Sequence, residues 1–214
     1  AEAEAAIYTE IERIQAEDIS FAEKLGYTIK LLGVIQLHEE TGAIEVRVQP
    51  SLVGREHILS SVKGAFNAIL VQGDVVGETL FYGSGAGQDP TSSAVIADIA
   101  DAAARIDSRD GAGFVTHGLY GKPLPVTDSV SKYYLRVEAE DRPGVLARIA
   151  KVLGEHGIGI LSVIQPEDHE EEYAPIVLML HFAPFGKVRD ALAEISEMDC
   201  VRHDPVLLRV EDLS

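Results

Sequence analysis

Apolar and polar residues change period once with unusual clarity. Tyr134, Leu135 and Val137 belong to an alternating run over Lys132–Glu138, and Val145, Leu146, Ile149, Val152 and Leu153 then recur at three- and four-residue spacing. The first pattern predicts a strand and the second one stripe of a helix over Pro143–His156. Between them lies Asp141-Arg142-Pro143-Gly144, with Asp141 placed to cap, Pro143 tolerated near a first turn, and Gly144 open to close approach. Gly157 stops the helix. Strands over Ile158–Gln165, Ala174–Phe182 and Cys200–Val210 and a helix over Phe185–Ser196 follow, with an acidic tip, Glu170-Glu171-Glu172, between the first two strands. The order is β-α-β-β-α-β, a ferredoxin-like plan.

Upstream, Ala16–Leu25 predicts a short helix with Ile19, Phe21, Ala22 and Leu25 inward. Tyr27–Ile35 predicts a buried strand. Ala43–Gln49 alternates, with Ile44, Val46 and Val48 on the face expected to be buried. Leu59–Asn67 is compatible with a helix, and Ala68–Gln72 and Val75–Tyr82 with a hairpin turning at Gly73-Asp74. A glycine loop, Gly83–Gly87, leads into a helix over Thr91–Arg105 with hydroxyl residues at its start. Residues 107–131 hold four Gly and two Pro with little periodicity and read as a linker. The expected class is therefore α+β. The expected division is 1–106, a linker over 107–131, and a second domain over 132–214.

Charge and composition narrow the partners. A formal net charge of −17 argues against nucleic acid and against an anionic membrane. No apolar run approaches the roughly 20 residues that span a bilayer. Cys200 is the single cysteine, so no internal disulfide forms, and a cytoplasmic location is expected. Residues 1–6 lack the basic start and apolar core of a signal peptide and read as the edge of a fragment. The seven histidines have no metal-pair spacing, so no metal site is expected. His156, at a helix end, is expected to meet terminal carbonyls. Read alone, Gly83-Ser-Gly-Ala-Gly87 is a weak ligand signal, since Gln88 occupies the last glycine position of a dinucleotide fingerprint.

Two resemblances add to this reading. Asp141-Arg-Pro-Gly-Val-Leu-x-x-Ile-Ala-x-x-Leu153 resembles the opening of an ACT domain, a small amino-acid-binding regulatory module. Residues Ile11–Ile19, Ala22–Leu32, Val62–Ile69 and Gly77–Asp98 resemble the C-terminal half of the catalytic region of homoserine dehydrogenase, some members of which carry a C-terminal ACT domain. The resemblance implies a mixed-sheet catalytic portion followed by a ferredoxin-like ACT domain. It implies NADP- or NAD-dependent interconversion of L-aspartate 4-semialdehyde and L-homoserine, in threonine and methionine biosynthesis.

It further implies cofactor contact at Gly85 and Gly87, L-threonine as effector, and a homodimer or tetramer. For the effector site it points to Asp141, Arg142, Gly144 and Val145 in the turn, with Leu161, Ser162 and Gln165 on the second strand. The family's dinucleotide fingerprint, its catalytic lysine and its acidic substrate ligands match nothing here and are expected upstream of residue 1. Lys24 and Lys30 do not match the lysine, so the chain alone is expected to be inactive. The alternative is a stand-alone ACT-type amino-acid sensor or dimerisation module without catalysis.

Overall fold

The computed structural model describes residues 12–106, 122–166 and 172–213. The chain divides into two compact units, Ala1–Glu56 with Gly121–Ser214, and His57–Tyr120. The first unit is thus built from both sides of the second. The sequence-based boundaries at 106 and 132 cut the chain differently, because strands from both ends share a sheet.

That sheet has seven strands: β1 (Tyr27–His38), β2 (Ala43–Gly54), β5 (Lys122–Pro123), β6 (Val130–Glu140), β7 (Ile160–Ile164), β8 (Tyr173–Pro184) and β9 (Val206–Glu211). Its order is β1-β2-β9-β6-β8-β7, with β5 beside β2. Strands β9-β6-β8-β7 pair antiparallel throughout, and with helices α3 (Val145–Glu155) and α4 (Phe185–Ser196) they make the βαββαβ unit expected from the sequence. The hairpin β1–β2 extends this unit, β2 running parallel to β9 from Ser51↔Arg209 to Val53↔Glu211.

The pleat of β6 divides its side chains between two cores. Tyr133, Leu135, Val137 and Ala139 pack with Ile149, Leu153, Val188 and Ile195 of α3 and α4. Tyr134 faces the other way, with Leu52, Val177, Met179 and Leu208 under Phe21 and Ala22 of α1 (Ala16–Lys24).

Helix α1 is not seated as its pattern predicts. Ile19 is 52% exposed, and Asp18 takes the inward place at 0%. Asp18 Oδ2 accepts the Gln15 N–H at 2.8 Å, closing the start of the helix. Its carboxylate also takes Arg136 Nε at 2.6 Å, Arg136 Nη2 at 3.0 Å and the Tyr134 hydroxyl at 2.8 Å. Burial first, and then the charge of Asp18, hold the Tyr134 phenol far above its ordinary range, so it donates as a neutral O–H.

The β1–β2 hairpin reverses the expected burial. Val46 and Val48 are exposed, as are Leu31 and Ile35 on the same face of the hairpin, while Glu45 and Ser51 are buried. The polar face wins burial because its groups are paired. Glu45 accepts from Ser129 Oγ and lies 3.3 Å from Arg47 Nε and 3.5 Å from Arg209 Nη1. Glu211 takes Arg47 Nη2 at 2.7 Å and Ser51 Oγ at 2.9 Å.

Burial alone would raise the Glu45 pKa, but the Ser129 hydroxyl, Arg47, His38 and Arg209 outweigh it and bring it below its ordinary value of 4.5. A carboxyl depressed by folding stabilises above its unfolded pKa, and that contribution is lost as pH falls through the folded value. Stability is therefore expected to decline below the ordinary value of 4.5, and less steeply in Glu45→Gln. Urea midpoints measured from about pH 6 to about pH 3 check this. Parallel curves for the two proteins would refute it.

Four further expectations are corrected. Residues 59–67 are not a helix: a short 3-10 turn over Ile58–Ser61 gives way to β3 (Phe66–Gly73), since Phe66-Asn67-Ala68 pair in register with β4 (Gly77–Ser84). The Gly73-Asp74 turn is wider, the strands resuming at Gly77. The last strand begins at Val206, and Val201 makes only an isolated bridge with Ala139. The helix after the glycine loop, α2 (Gln88–Ala104), is entered through Gly87 with no side-chain cap. Most of the linker and the tip residues Glu170 and Glu171 lie outside the described residues.

Candidate functional site

The turn expected to take an effector, Asp141–Gly144, sits where β6 passes into α3. Gly144, not Asp141, is the N-cap residue, with φ +94 in the left-handed region that side chains resist. Asp141 caps nothing. Its N–H donates to Glu172 O at 3.0 Å, which ties the turn to the start of β8. Val145 N–H donates to Arg142 O at 3.3 Å, and no side chain caps the rest of the first turn of α3. Uncapped leading amides carry partial positive charge and favour an anion. Arg142 is exposed and paired with Glu140 through Nε. Arg148, one turn on, pairs with Asp199 at 2.7 Å, and this bond holds the Asp199 carboxyl below its ordinary range.

Asp141, Arg142 and Gly144 are exposed together, whereas the Val145 side chain is 3% exposed and belongs to the core. Ser162 and Gln165 are also exposed, on and just past β7 at the sheet edge, one strand removed from β6. Ser162 is level with Met179 and so shares the α1 side of the sheet, while Val163 shares the helix side. Leu161 is 47% exposed at an irregularity in β7. Pattern reading missed Glu140, the residue that holds Arg142. Its position two residues before Arg142 was the available signal.

The glycine loop belongs to the second unit. Gly85 N–H donates to Ala65 O at 2.9 Å, and a Cβ at Gly85 would fall 1.8 Å from Asn67 Nδ2. A side chain at Gly85 would therefore displace the Asn67 amide. Gly87 has φ +130 and starts α2. Val95, Ile96 and Ile99 of that helix are exposed.

His156 closes α3 with its N–H on Val152 O, but its imidazole pairs with Glu194 of α4 at 3.1 Å rather than with terminal carbonyls. Among the described residues no three of His, Cys, Asp and Glu are grouped to hold a metal, and no helix is long and apolar enough to cross a membrane.

Comparison with known proteins covers both halves of the chain. Residues 1–100 match the family model of homoserine dehydrogenase, and residues 133–197 match that of the ACT domain. A homoserine dehydrogenase of Pseudomonas aeruginosa is 39% identical over 97% of this chain and 49% of its own length. One from Neisseria gonorrhoeae is 41% identical over 95% of this chain and 48% of its own. The crystal structure of a homoserine dehydrogenase from Thiobacillus denitrificans superposes with a TM-score of 0.76 at 39% identity, over 95% of this chain and 47% of that one. The chain thus spans about half the length of the relatives it matches. With the βαββαβ unit observed and the two family models meeting in one chain, it belongs to the homoserine dehydrogenase family and carries an ACT domain.

Proposed function

We propose that this chain is the C-terminal part of the catalytic region, together with the ACT regulatory domain, of a homoserine dehydrogenase, an enzyme that interconverts L-aspartate 4-semialdehyde and L-homoserine in the cytoplasm with NADP or NAD. The β6–α3 turn takes L-threonine as feedback effector. The single observation that carries this reading is Gly144. Its left-handed backbone leaves the start of α3 uncapped beside an exposed arginine, a suitable receptor for an amino-acid carboxylate. Ser162 and Gln165 supply polar side chains for the ammonium or hydroxyl, and Gly85 and Gly87 border the cofactor.

Calorimetric titration of the chain with L-threonine, with serine and isoleucine for comparison, tests the effector. Saturable binding selective for threonine is expected. Gly144→Val, which forces a branched side chain into φ +94, is expected to weaken it by roughly tenfold, about 1.4 kcal/mol. Absence of heat from the folded chain would overturn the assignment.

The chain acts as a homo-oligomer, a dimer or tetramer. Among the described residues the outer edge of β7 has no strand partner, and Ile160–Ile164 contains neither charge nor proline to blunt it. Edge-to-edge pairing with a second copy satisfies both edges at once. A monomer in sedimentation at micromolar concentration would refute this.

A further inference from the structure

The buried carboxylate of Asp18 joins the two family segments by side chains. Asp18 lies within residues 1–100, which match homoserine dehydrogenase, and its partners Tyr134 and Arg136 lie within residues 133–197, which match the ACT domain. Taking two charges out of water is costly, and apolar side chains of similar size would hold α1 on the sheet as well. What the ion pair adds is direction. A guanidinium that bonds one carboxylate through Nε and Nη2 admits one register of α1 on β6.

The same face of β6 leads from this pair to the effector turn. Tyr134, Arg136, Glu138 and Glu140 alternate on it. Glu138 pairs with Arg202 at 3.1 Å, and Glu140 pairs with Arg142 in the turn itself. A row of charged side chains thus runs from α1 to the residue placed to meet the ligand's carboxylate. A carboxylate that draws Arg142 from Glu140 alters the far end of this row. The other face of the same strand is locked into the α3–α4 core, so a shift of β6 moves both cores together.

We infer that the Asp18–Arg136–Tyr134 cluster is the coupling element through which ligand at the β6–α3 turn sets the position of α1 and of the hairpin β1–β2 that follows it. This rests on the proposed reading of the turn as an effector site. The parallel ladder between β2 and β9 also ties the hairpin β1–β2 to the sheet, so the test leaves it intact.

The experiment is hydrogen exchange of the chain with and without L-threonine, with calorimetry on the same samples. The natural sequence is expected to show a threonine-dependent change in protection over Ala16–Lys24. In Asp18→Leu/Arg136→Met/Tyr134→Phe, which keeps α1 packed but removes every directional bond, threonine is expected to bind within about threefold of the natural affinity. The change over α1 should then be absent. Tyr134→Phe alone removes one bond and is expected to reduce the change. It stands in if the triple variant does not fold.

Threonine binding with no change in α1, or a change undiminished in either variant, would overturn the coupling while leaving the effector site in place. No threonine binding at all would remove the effector reading and this inference with it.

Discussion

Asp18→Ala is expected to destabilise the first unit by about 3–5 kcal/mol, the usual consequence of removing one member of a buried ion pair. The cost is not the loss of attraction alone. Arg136, 5% exposed, is left as a buried guanidinium without its partner, and the Tyr134 hydroxyl loses its acceptor. The Gln15 N–H at the start of α1 loses its side-chain cap as well. The variant that replaces all three side chains by apolar ones should lie within about 1 kcal/mol of the natural chain, because no charge is then buried unpaired. Urea denaturation of the two variants beside the natural chain reads the difference. An alanine variant less than about 1 kcal/mol below the natural chain would mean that water reaches Arg136 in solution.

The polypeptide by itself is expected to give no NADPH oxidation with L-aspartate 4-semialdehyde. Hydride transfer needs a cradle for the dinucleotide, and reduction of the aldehyde needs a positioned proton donor. Of the lysines in the first sixty residues, Lys24 lies with its Nζ 5.4 Å from the Phe21 ring centroid on its own helix, and Lys30 is within β1. The Gly85 amide is committed to Ala65 O, and the Asn67 side chain lies against the glycine. Turnover above the uncatalysed rate by the purified chain would refute the expectation. So would titration of a stoichiometric NADPH site at Gly85 and Gly87.

How much of this was legible in the residues depended on the range of the interactions. Helix α4 runs over Phe185–Ser196 as its spacing predicts, and β6, α3 and β8 fall within a few residues of their expected ends. These elements bury one apolar stripe against near neighbours, and period alone finds such stripes.

Period misleads where the buried side is polar. Glu45 and Ser51 occupy the alternate positions of β2 that look wet, and what buries them is Arg209, Glu211 and Ser129, all distant in the chain. Asp18 looks like a surface residue of a short helix until Tyr134 and Arg136, 116 and 118 positions on, are brought to it. The β6–α3 turn was legible from Pro143-Gly144, yet Gly144 rather than Asp141 is its N-cap residue. A glycine at positive φ starts the helix without help from a side chain. For the glycine loop, the sequence showed where small residues gather. The Asn67 amide that lies against Gly85 comes from β3.

The parallel ladder from Ser51↔Arg209 to Val53↔Glu211 also governs the order in which the chain can fold during synthesis. The hairpin β1–β2 leaves the ribosome well before its neighbour β9. The whole of the second unit, His57–Tyr120, is translated in between. At roughly 5–20 residues per second, the hairpin waits on the order of ten seconds with its edge unpaired and Leu52 and Val53, which end up buried, in water. So wide a separation between paired strands also makes closure of the sheet a slow, late step when the protein is refolded from urea. The ACT segment, with β6, β7 and β8 adjacent in sequence, is placed to form first and to serve as the template on which the earlier-made hairpin finally docks.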